Sequence, residues 1–219
     1  CAAKDRVYTA AAGRREEQRI REWSLQTGEC TREFVAKDVT ELVVRNDKLY
    51  ANAQGEEEGD SNIVSEWSLD APGAGRPTRT FAGHEQPVSA VFATKRRLLT
   101  ASYDGTVKEW SLETGECMRE FPDSGGGSGL HAMEGLLCSP SAQDRGVINV
   151  WSLDSGELVR TLVGHSGEVT SMTTLDGKLY SCSDDRTIKE WDVATGTVLR
   201  TFEGHTDTVW CIRVMRRDD

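Results

Sequence analysis

Two sets of side chains in this sequence contain the residue types of a hydrolase triad, namely a histidine, a hydroxyl and an aspartate. With identical spacing they are His84, Thr100 and Asp104, and His165, Ser181 and Asp185. A histidine held by an acid can activate a hydroxyl as a nucleophile. An enzyme needs such a site once, however, whereas this set recurs. The recurrence favours a structural role, in which buried polar groups satisfy one another.

The repetition extends to the elements that would position these side chains. Five tryptophans stand 40 to 44 residues apart, at Trp23, Trp67, Trp110, Trp151 and Trp191. Each is followed by an apolar step, a turn and an extended run, a pattern typical of a β-hairpin. Two more extended pieces precede the tryptophan in the regular units, as at 88–94 and 98–102. The sequence therefore predicts a repeated unit of about four short strands.

A Gly-His pair precedes the first strand of three units, at Gly83-His84, Gly164-His165 and Gly204-His205. Together with the closing tryptophan, this unit resembles the repeat of the WD-repeat family. The resemblance covers the whole chain and implies an all-β fold, a β-propeller of four-stranded antiparallel blades, as a single domain over residues 1–219. In this family the His, the hydroxyl, the Asp and the tryptophan of a well-formed blade bond to one another. The implied tetrads are His84, Thr100, Asp104 and Trp110, and His165, Ser181, Asp185 and Trp191.

The two ends of the chain are complementary in sequence. Residues 3–10 match the second strand of a unit, as at 94–101, and Val209 to Val214 match a first strand. One blade shared by both ends would close a five-bladed ring and remove exposed sheet edges. Most rings of the family have seven blades, so a fragment or partial ring also fits five visible repeats. The sequence favours the partial propeller and leaves the closed five-bladed ring as the alternative.

A glutamate stands directly before the repeat tryptophan in four units, and an arginine lies in each following strand. A tight hairpin brings such residues together, provided that the register keeps them on one face. We predict four cross-strand ion pairs: Glu22 with Arg32, Glu66 with Arg79, Glu109 with Arg119, and Glu190 with Arg200. Val150 interrupts the series opposite Arg160.

Partners of the family commonly bind near the start of the innermost strands. The corresponding positions here are Asp38, Thr40, Pro87, Ser89, Glu168, Thr170, Thr208 and Trp210. Trp210 is the one tryptophan outside the repeat position, and a large aromatic at the channel mouth can anchor an interface. The alternative is that it packs beneath a neighbouring blade. Tyr103 and Asp184, in the turns before Asp104 and Asp185, are expected on the same face.

Units without the Gly-His pair have longer polar turns, one of which contains Glu56, Glu57 and Glu58. Such turns are candidates for partner specificity, although surface insertions are also tolerated without a function. The net charge of -10 disfavours binding to nucleic acid or to an anionic membrane. An acidic rim would favour a basic partner segment. Ordinary solvated charge is the alternative interpretation.

These features favour a non-enzymatic scaffold or adaptor that binds proteins or peptide segments and needs no cofactor. A substrate-recruiting subunit of a larger complex, such as a ubiquitin ligase, is one form of this role, by analogy of fold. A glycosidase-like propeller is the enzymatic alternative and would need two carboxylates about 5–9.5 Å apart in the channel. A nucleic-acid-binding propeller ranks third.

Six cysteines without a CxxC pair predict no metal site and an intracellular, cytoplasmic or nuclear, location. The oligomeric state is left open.

Overall fold

The computed structural model describes residues 5–11, 19–36, 38–52, 62–70, 75–124 and 129–215. Within them the chain is all-β, with 19 strands in five antiparallel sheets. Each sheet consists of consecutive strands and contains one repeat tryptophan. The predicted fold class, a β-propeller of antiparallel blades, is confirmed. We number the sheets units 1 to 5 in chain order.

The strands have the following bounds. Unit 1 contains β1 (Arg6–Ala10), β2 (Arg19–Ser24) and β3 (Cys30–Val35). Unit 2 contains β4 (Leu42–Arg45), β5 (Lys48–Asn52), β6 (Ile63–Ser68) and β7 (Arg79–Ala82). Unit 3 contains β8 (Val88–Ala93), β9 (Arg97–Ser102), β10 (Val107–Ser111) and β11 (Cys117–Phe121). Unit 4 contains β12 (His131–Met133), β13 (Leu136–Pro140), β14 (Val147–Ser152) and β15 (Leu158–Val163), and unit 5 contains β16 (Val169–Leu175), β17 (Lys178–Ser183), β18 (Ile188–Asp192) and β19 (Thr197–Phe202).

The core lies between the sheets. Middle strands are buried on both faces because each inner sheet packs between two neighbours, and in β9 residues 98–101 are at most 1% exposed. The outer strands of units 1 to 4 each bury one large apolar side chain at or near their end, namely Phe34, Phe81, Phe121 and Leu162. Phe81 packs edge-on against Trp110 of the next unit with ring centroids 5.8 Å apart, and Phe121 packs in the same way against Trp151 at 5.9 Å.

Three of the four glutamates before the repeat tryptophans do not bind the arginines predicted for them. Glu109 and Arg119 are directly opposite in register, as expected, but Glu109 is buried and its Oε1 lies 2.9 Å from Arg97 on the neighbouring inner strand. Glu66 likewise binds Lys48 at 2.8 Å. Glu22 also forms an ion pair with a basic residue of its own unit, Arg6, at 3.3 Å. Among the described residues, the predicted pair has formed within 4.0 Å at Glu190 and Arg200, whose atoms are 3.9 Å apart.

The arginines of the outer strands reach into the following unit instead, which is why three predicted pairs are wrong. Arg79 donates from Nη1 to the carbonyl oxygen of Leu112 at 2.7 Å and from Nη2 to that of Glu113 at 2.9 Å. Arg119 donates to the carbonyl oxygens of Leu153 and Asp154 at 2.8 and 3.1 Å. These carbonyls lie in the turn after the next repeat tryptophan. We call this contact the arginine clasp; it also joins Arg32 to Leu69 and Arg160 to Thr195.

The two ends depart from the regular pattern. In the described residues unit 1 has three strands, and residues 203–215 contain no strand, so the predicted strand from Val209 to Val214 is wrong. Val209 and Ile212 pack against Cys182 of unit 5 instead. A strand needs a partner edge along its length, and this segment does not pair with β1. The described sheets therefore form an open arc, which overturns the alternative of a five-bladed ring closed by its own ends.

Candidate functional site

The polar tetrads lie at one end of the sheets, beneath the turns of one face. His84 Nε2 lies 2.7 Å from Thr100 Oγ1, which also accepts a hydrogen bond from Trp110 Nε1 at 2.8 Å. His84 Nδ1 lies 2.8 Å from Asp104 Oδ2. Unit 5 repeats this geometry with 2.8 Å between His165 Nε2 and Ser181 Oγ, 2.7 Å from Trp191 Nε1 to Ser181 Oγ and 2.7 Å between His165 Nδ1 and Asp185 Oδ2.

The burial of these tetrads argues against their interpretation as hydrolase triads. Thr100 and Ser181 are 0% exposed, so a substrate cannot reach either hydroxyl. Burial lowers the pKa of His84 and of His165 below the usual value, even though an aspartate hydrogen-bonds to each ring. The aspartates also hold the loops, since Asp104 accepts a hydrogen bond from the amide of Glu85 at 3.0 Å. The arrangement fastens turns to sheets.

Unit 4 contains a different set of buried hydrogen bonds, which the sequence analysis did not predict. Ser124 stands three residues after Phe121, where His84 follows Phe81, and its Oγ lies 3.0 Å from Ser139 Oγ. Ser139 also accepts a hydrogen bond from Trp151 Nε1 at 3.3 Å. In unit 2, by contrast, the buried Nε1 of Trp67 has no hydrogen-bond partner.

Asn52 is a second polar residue that the sequence analysis missed. It is 5% exposed, and its Nδ2 donates to Thr40 Oγ1 and to the carbonyl oxygen of Val88, both at 2.7 Å. Its Oδ1 accepts from the amide of Glu41 at 2.8 Å. Asn52 therefore ties the start of β4 to that of β8 in the next unit. The sequence contained one signal for this role: the second strand of unit 2 ends in an asparagine, whereas small residues end the second strands of other units.

Four of the predicted partner-binding residues are exposed and are linked by a shared groove or by backbone hydrogen bonds between their turns. Tyr103 is 64% exposed and lines a groove of about 270 Å³ whose other side includes Glu168. The carbonyl oxygen of Glu168 accepts a hydrogen bond from the amide of Asp184 at 2.9 Å. Ser183, next to Asp184, accepts one from the amide of Val209, which precedes Trp210. We call Tyr103, Glu168, Asp184 and Trp210 the aromatic-acidic strip.

The other predicted contact positions are distributed around this strip. Pro87 is exposed, and its carbonyl oxygen accepts from the amide of Tyr103 at 3.1 Å. Ser89 and Thr170 are partly buried and donate to carbonyl oxygens of their own units, whereas Thr208 is held by Asp207. Asp38 and Thr40 are exposed at the start of unit 2, whereas the strip residues lie in unit 3, in unit 5 and in the segment that follows unit 5. The predicted residues Glu56, Glu57 and Glu58 lie outside the described residues.

Trp210 is 75% exposed, so in this structure it does not pack beneath a blade. Its neighbours Val209 and Ile212 are 8% and 9% exposed and face the core, which leaves the indole on the surface. Exposed aromatic area of this size is available for burial against a partner.

Glu41 is the one described carboxyl group whose pKa is raised. Burial raises the pKa of Glu41 to about 7, while the charge of Arg213 and the amide of Val91 act in the opposite direction. Within the described ranges no group of three His, Cys, Asp or Glu could hold a metal ion. No helix among them is long and apolar enough to cross a membrane.

Comparison with known proteins identifies the repeat. The family described as "WD domain, G-beta repeat" matches residues 75–111, 156–192 and 196–217. The sterol regulatory element-binding protein cleavage-activating protein of Xenopus laevis is 31% identical over 104 residues, which cover 47% of this chain and 8% of that protein. Two Arabidopsis thaliana proteins also match: the non-functional target of rapamycin complex subunit LST8-2, 32% identical over 121 residues (52% of this chain, 36% of that protein), and autophagy-related protein 16, 28% identical over 117 residues (52% and 22%). The chain thus spans between 8% and 36% of these relatives.

Solved structures show the same fold. The crystal structure of the computationally designed Ika8 protein superposes with a TM-score of 0.81 at 24% identity, covering 99% of this chain and 64% of that chain. The WD40 β-propeller domain of Doa1 superposes with a TM-score of 0.74 at 18% identity, covering 94% of this chain and 67% of that chain. Nearly all of this chain therefore corresponds to about two thirds of a solved propeller.

Proposed function

We propose that this chain, whose repeats match the WD-domain family and whose fold is a β-propeller, is a non-enzymatic scaffold that binds a basic segment of another protein through its aromatic-acidic strip. The observation that carries the proposal is the composition of this surface. Two aromatic side chains, Tyr103 and Trp210, are 64% and 75% exposed, and the exposed Glu168 and Asp184 lie on the path between them.

The chemistry of the strip indicates the kind of partner. Large aromatics are the residues that most often anchor protein interfaces, and they also attract cationic groups over their faces. Carboxylates speed the approach of a positively charged partner. An extended segment with lysine or arginine beside apolar residues would satisfy both properties.

The backbone beneath the strip is already held in place. Tyr103 precedes Asp104 and Asp184 precedes Asp185, and both aspartates are fastened to buried histidines. Hydrogen bonds from the amide of Asp184 to Glu168 and from that of Tyr103 to Pro87 join the turns to one another. A surface that is ordered before binding loses less conformational entropy when a partner docks.

The finer role that we propose is that of an adaptor that brings a client protein to a larger assembly, of which a ubiquitin ligase is one example. One relative is the non-functional target of rapamycin complex subunit LST8-2, and its description as a complex subunit supports membership in an assembly. We further propose an intracellular location, cytoplasmic or nuclear, which the free cysteines support: Cys30, Cys117, Cys138, Cys182 and Cys211.

Affinity capture with quantitative mass spectrometry tests the proposal. The bait proteins are the wild type, Tyr103→Ala, Trp210→Ala and, as a matched control, Met118→Ala. Met118 is 66% exposed on β11, at the outer edge of unit 3. We expect a set of partners that the wild type and the control capture equally and that both strip variants lose. Equal capture of the same proteins by all four baits would exclude the strip as the binding site.

A further inference from the structure

The sequence contains one run of three basic residues, in a chain whose net charge is -10. The run is Lys95, Arg96 and Arg97, and it lies where a turn joins β8 to β9. β9 begins at Arg97, and Tyr103 follows its other end. At about 3.3 Å per residue along a strand, this turn lies about 20 Å from Tyr103 of the aromatic-acidic strip, on the opposite face of the sheets.

Hydrogen bonds fix the backbone of this turn. Thr94 Oγ1 accepts from the amides of Arg96 and Arg97 at 3.3 and 2.9 Å. The amide of Thr94 donates to the carbonyl oxygen of Arg97 at 2.8 Å. Asn46 Nδ2, in the equivalent turn of unit 2, donates to the carbonyl oxygen of Lys95 at 3.1 Å. The two turns are therefore joined, and a surface that is ordered in this way loses less conformational entropy when a partner docks.

Two of the three basic side chains have no counter-charge bound to them. Arg97 is paired, with Nη1 2.9 Å from Glu109 Oε1 and Nη2 3.2 Å from Asp154 Oδ1. Lys95 and Arg96 are exposed, and neither side chain forms an ion pair or a hydrogen bond with another described residue. Their charges are therefore available to a partner.

A groove of about 280 Å³ lies beside this turn, between units 3 and 4. Lys95 and Arg96 line it on unit 3, and Ala132, Met133 and Glu134 line it on unit 4. Ala132 and Met133 are partly buried and contribute apolar surface, whereas Glu134 is exposed. Unit 3 packs against units 2 and 4, and unit 4 packs against units 3 and 5. The groove therefore lies within the regular part of the arc.

We propose that this groove, together with Lys95 and Arg96, binds an acidic segment of a partner protein. Carboxylates of the segment would contact Lys95 and Arg96, and a neighbouring apolar side chain would pack against Met133. The proposal goes beyond the aromatic-acidic strip and does not rest on it, since the two surfaces lie on opposite faces and attract opposite charges.

The charges around the groove indicate the orientation and the class of the partner. Glu134 repels a carboxylate on the unit 4 side, so the acidic residues would lie toward unit 3 and the apolar residue toward unit 4. RNA and anionic membranes depend on many cationic contacts and are repelled by the net charge of -10. A short acidic segment needs only the local cations, and burial of its apolar side chain adds affinity that exposed ion pairs alone do not supply.

Phage display of random short peptides on the immobilised protein, followed by fluorescence anisotropy of the enriched peptides, tests the proposal. The variants are Lys95→Glu and Arg96→Glu, and both side chains are exposed, so neither change disturbs the core. Arg145→Glu is the matched control, because Arg145 is an exposed arginine in the groove beside Tyr103, on the other face.

We expect the wild type to select peptides that contain aspartate or glutamate beside an apolar residue. Lys95→Glu and Arg96→Glu should each weaken the binding of these peptides about fivefold or more. Glu134→Gln should strengthen it because the repelling carboxylate is removed. Arg145→Glu and Trp210→Ala should bind the same peptides as tightly as the wild type does.

Two results would overturn the proposal. One is a selection that enriches no acidic peptide, including the case in which RNA or phosphatidylserine vesicles bind instead and both variants lose them. The other is a set of acidic peptides that bind Lys95→Glu and Arg96→Glu as tightly as they bind the wild type.

Discussion

Trp67 and Ala51 have the same register relationship as Trp110 and Thr100, but Ala51 has no hydroxyl to accept the indole hydrogen bond. Leu49 pairs with Trp67 and Leu98 pairs with Trp110, so residues 51 and 100 are equivalent. Trp67 is 1% exposed and its Nε1 has no partner. A buried donor without an acceptor costs about 1–3 kcal/mol.

Ala51→Ser should therefore stabilise the protein. The serine hydroxyl would accept from Trp67 Nε1 as Ser181 accepts from Trp191, and we expect a gain of about 0.5–1.5 kcal/mol in the free energy of unfolding. Urea denaturation measures this change. Ala101→Ser adds the same atom to unit 3, where Trp110 is already satisfied, and should give no gain. An Ala51→Ser protein no more stable than the wild type would refute the assignment of Trp67 Nε1 as a buried donor without an acceptor.

Thr100→Val should destabilise the protein because it removes one oxygen that serves both His84 and Trp110. We expect a loss of about 1–3 kcal/mol. Thr100→Ser keeps the acceptor, as Ser181 does in unit 5, and should retain most of the stability. Hydrogen exchange of the Trp110 indole N–H locates the effect. A valine variant as stable as the serine variant would mean that the hydrogen bonds of the tetrad contribute nothing to the free energy of unfolding.

Arg119→Met and Arg200→Met compare one substitution at two equivalent positions. Arg119 donates two hydrogen bonds to carbonyl oxygens of unit 4, whereas Arg200 has no following unit in the described residues. We expect the first change to lower the unfolding free energy by about 1–2 kcal/mol and the second to leave it nearly unchanged in dilute solution. Thermal and urea denaturation of dilute samples test this. Equal losses would show that the arginines stabilise their own strands rather than the contact between units.

Glu41 should make the stability of the fold depend on pH. Burial raises the pKa of Glu41 from 4.5 to about 7, so between these values the folded state binds more protons at this site than the unfolded state. Its contribution is therefore full below pH 4.5 and declines as the pH rises to about 7. Glu41→Gln should remove this component. The measurement is the difference in unfolding free energy between variant and wild type from pH 4.5 to 7.5; a difference that does not grow with pH would contradict the assignment.

Much of the fold follows from the sequence because the tryptophan spacing and the strand pattern are local signals. The cross-strand register of Glu109 and Arg119 was also predictable, since a hairpin fixes it. The partners of those side chains were not, because they depend on the neighbouring sheet: the arginine finds carbonyl oxygens in the next unit, and the buried glutamate takes Arg97.

The limits of prediction at the site have a similar origin. The tetrads of units 3 and 5 repeat known residue types at fixed spacing, whereas in unit 4 Ser124 stands at the place of the histidine and binds Ser139 directly. The strand predicted from Val209 to Val214 has the right residues but no adjacent edge in the described structure. Strand formation depends on a hydrogen-bonding neighbour as well as on sequence.

The most direct test of the proposed function is site-specific photo-crosslinking from the strip. A photoreactive phenylalanine analogue replaces Tyr103 in one protein and Met118 in another, two exposed positions in the same unit. After irradiation in cells, mass spectrometry identifies the crosslinked chains and peptides. The account predicts crosslinks from position 103 to a basic segment of another protein, and none to that segment from position 118. Crosslinks to the same partner from position 118 alone would contradict it.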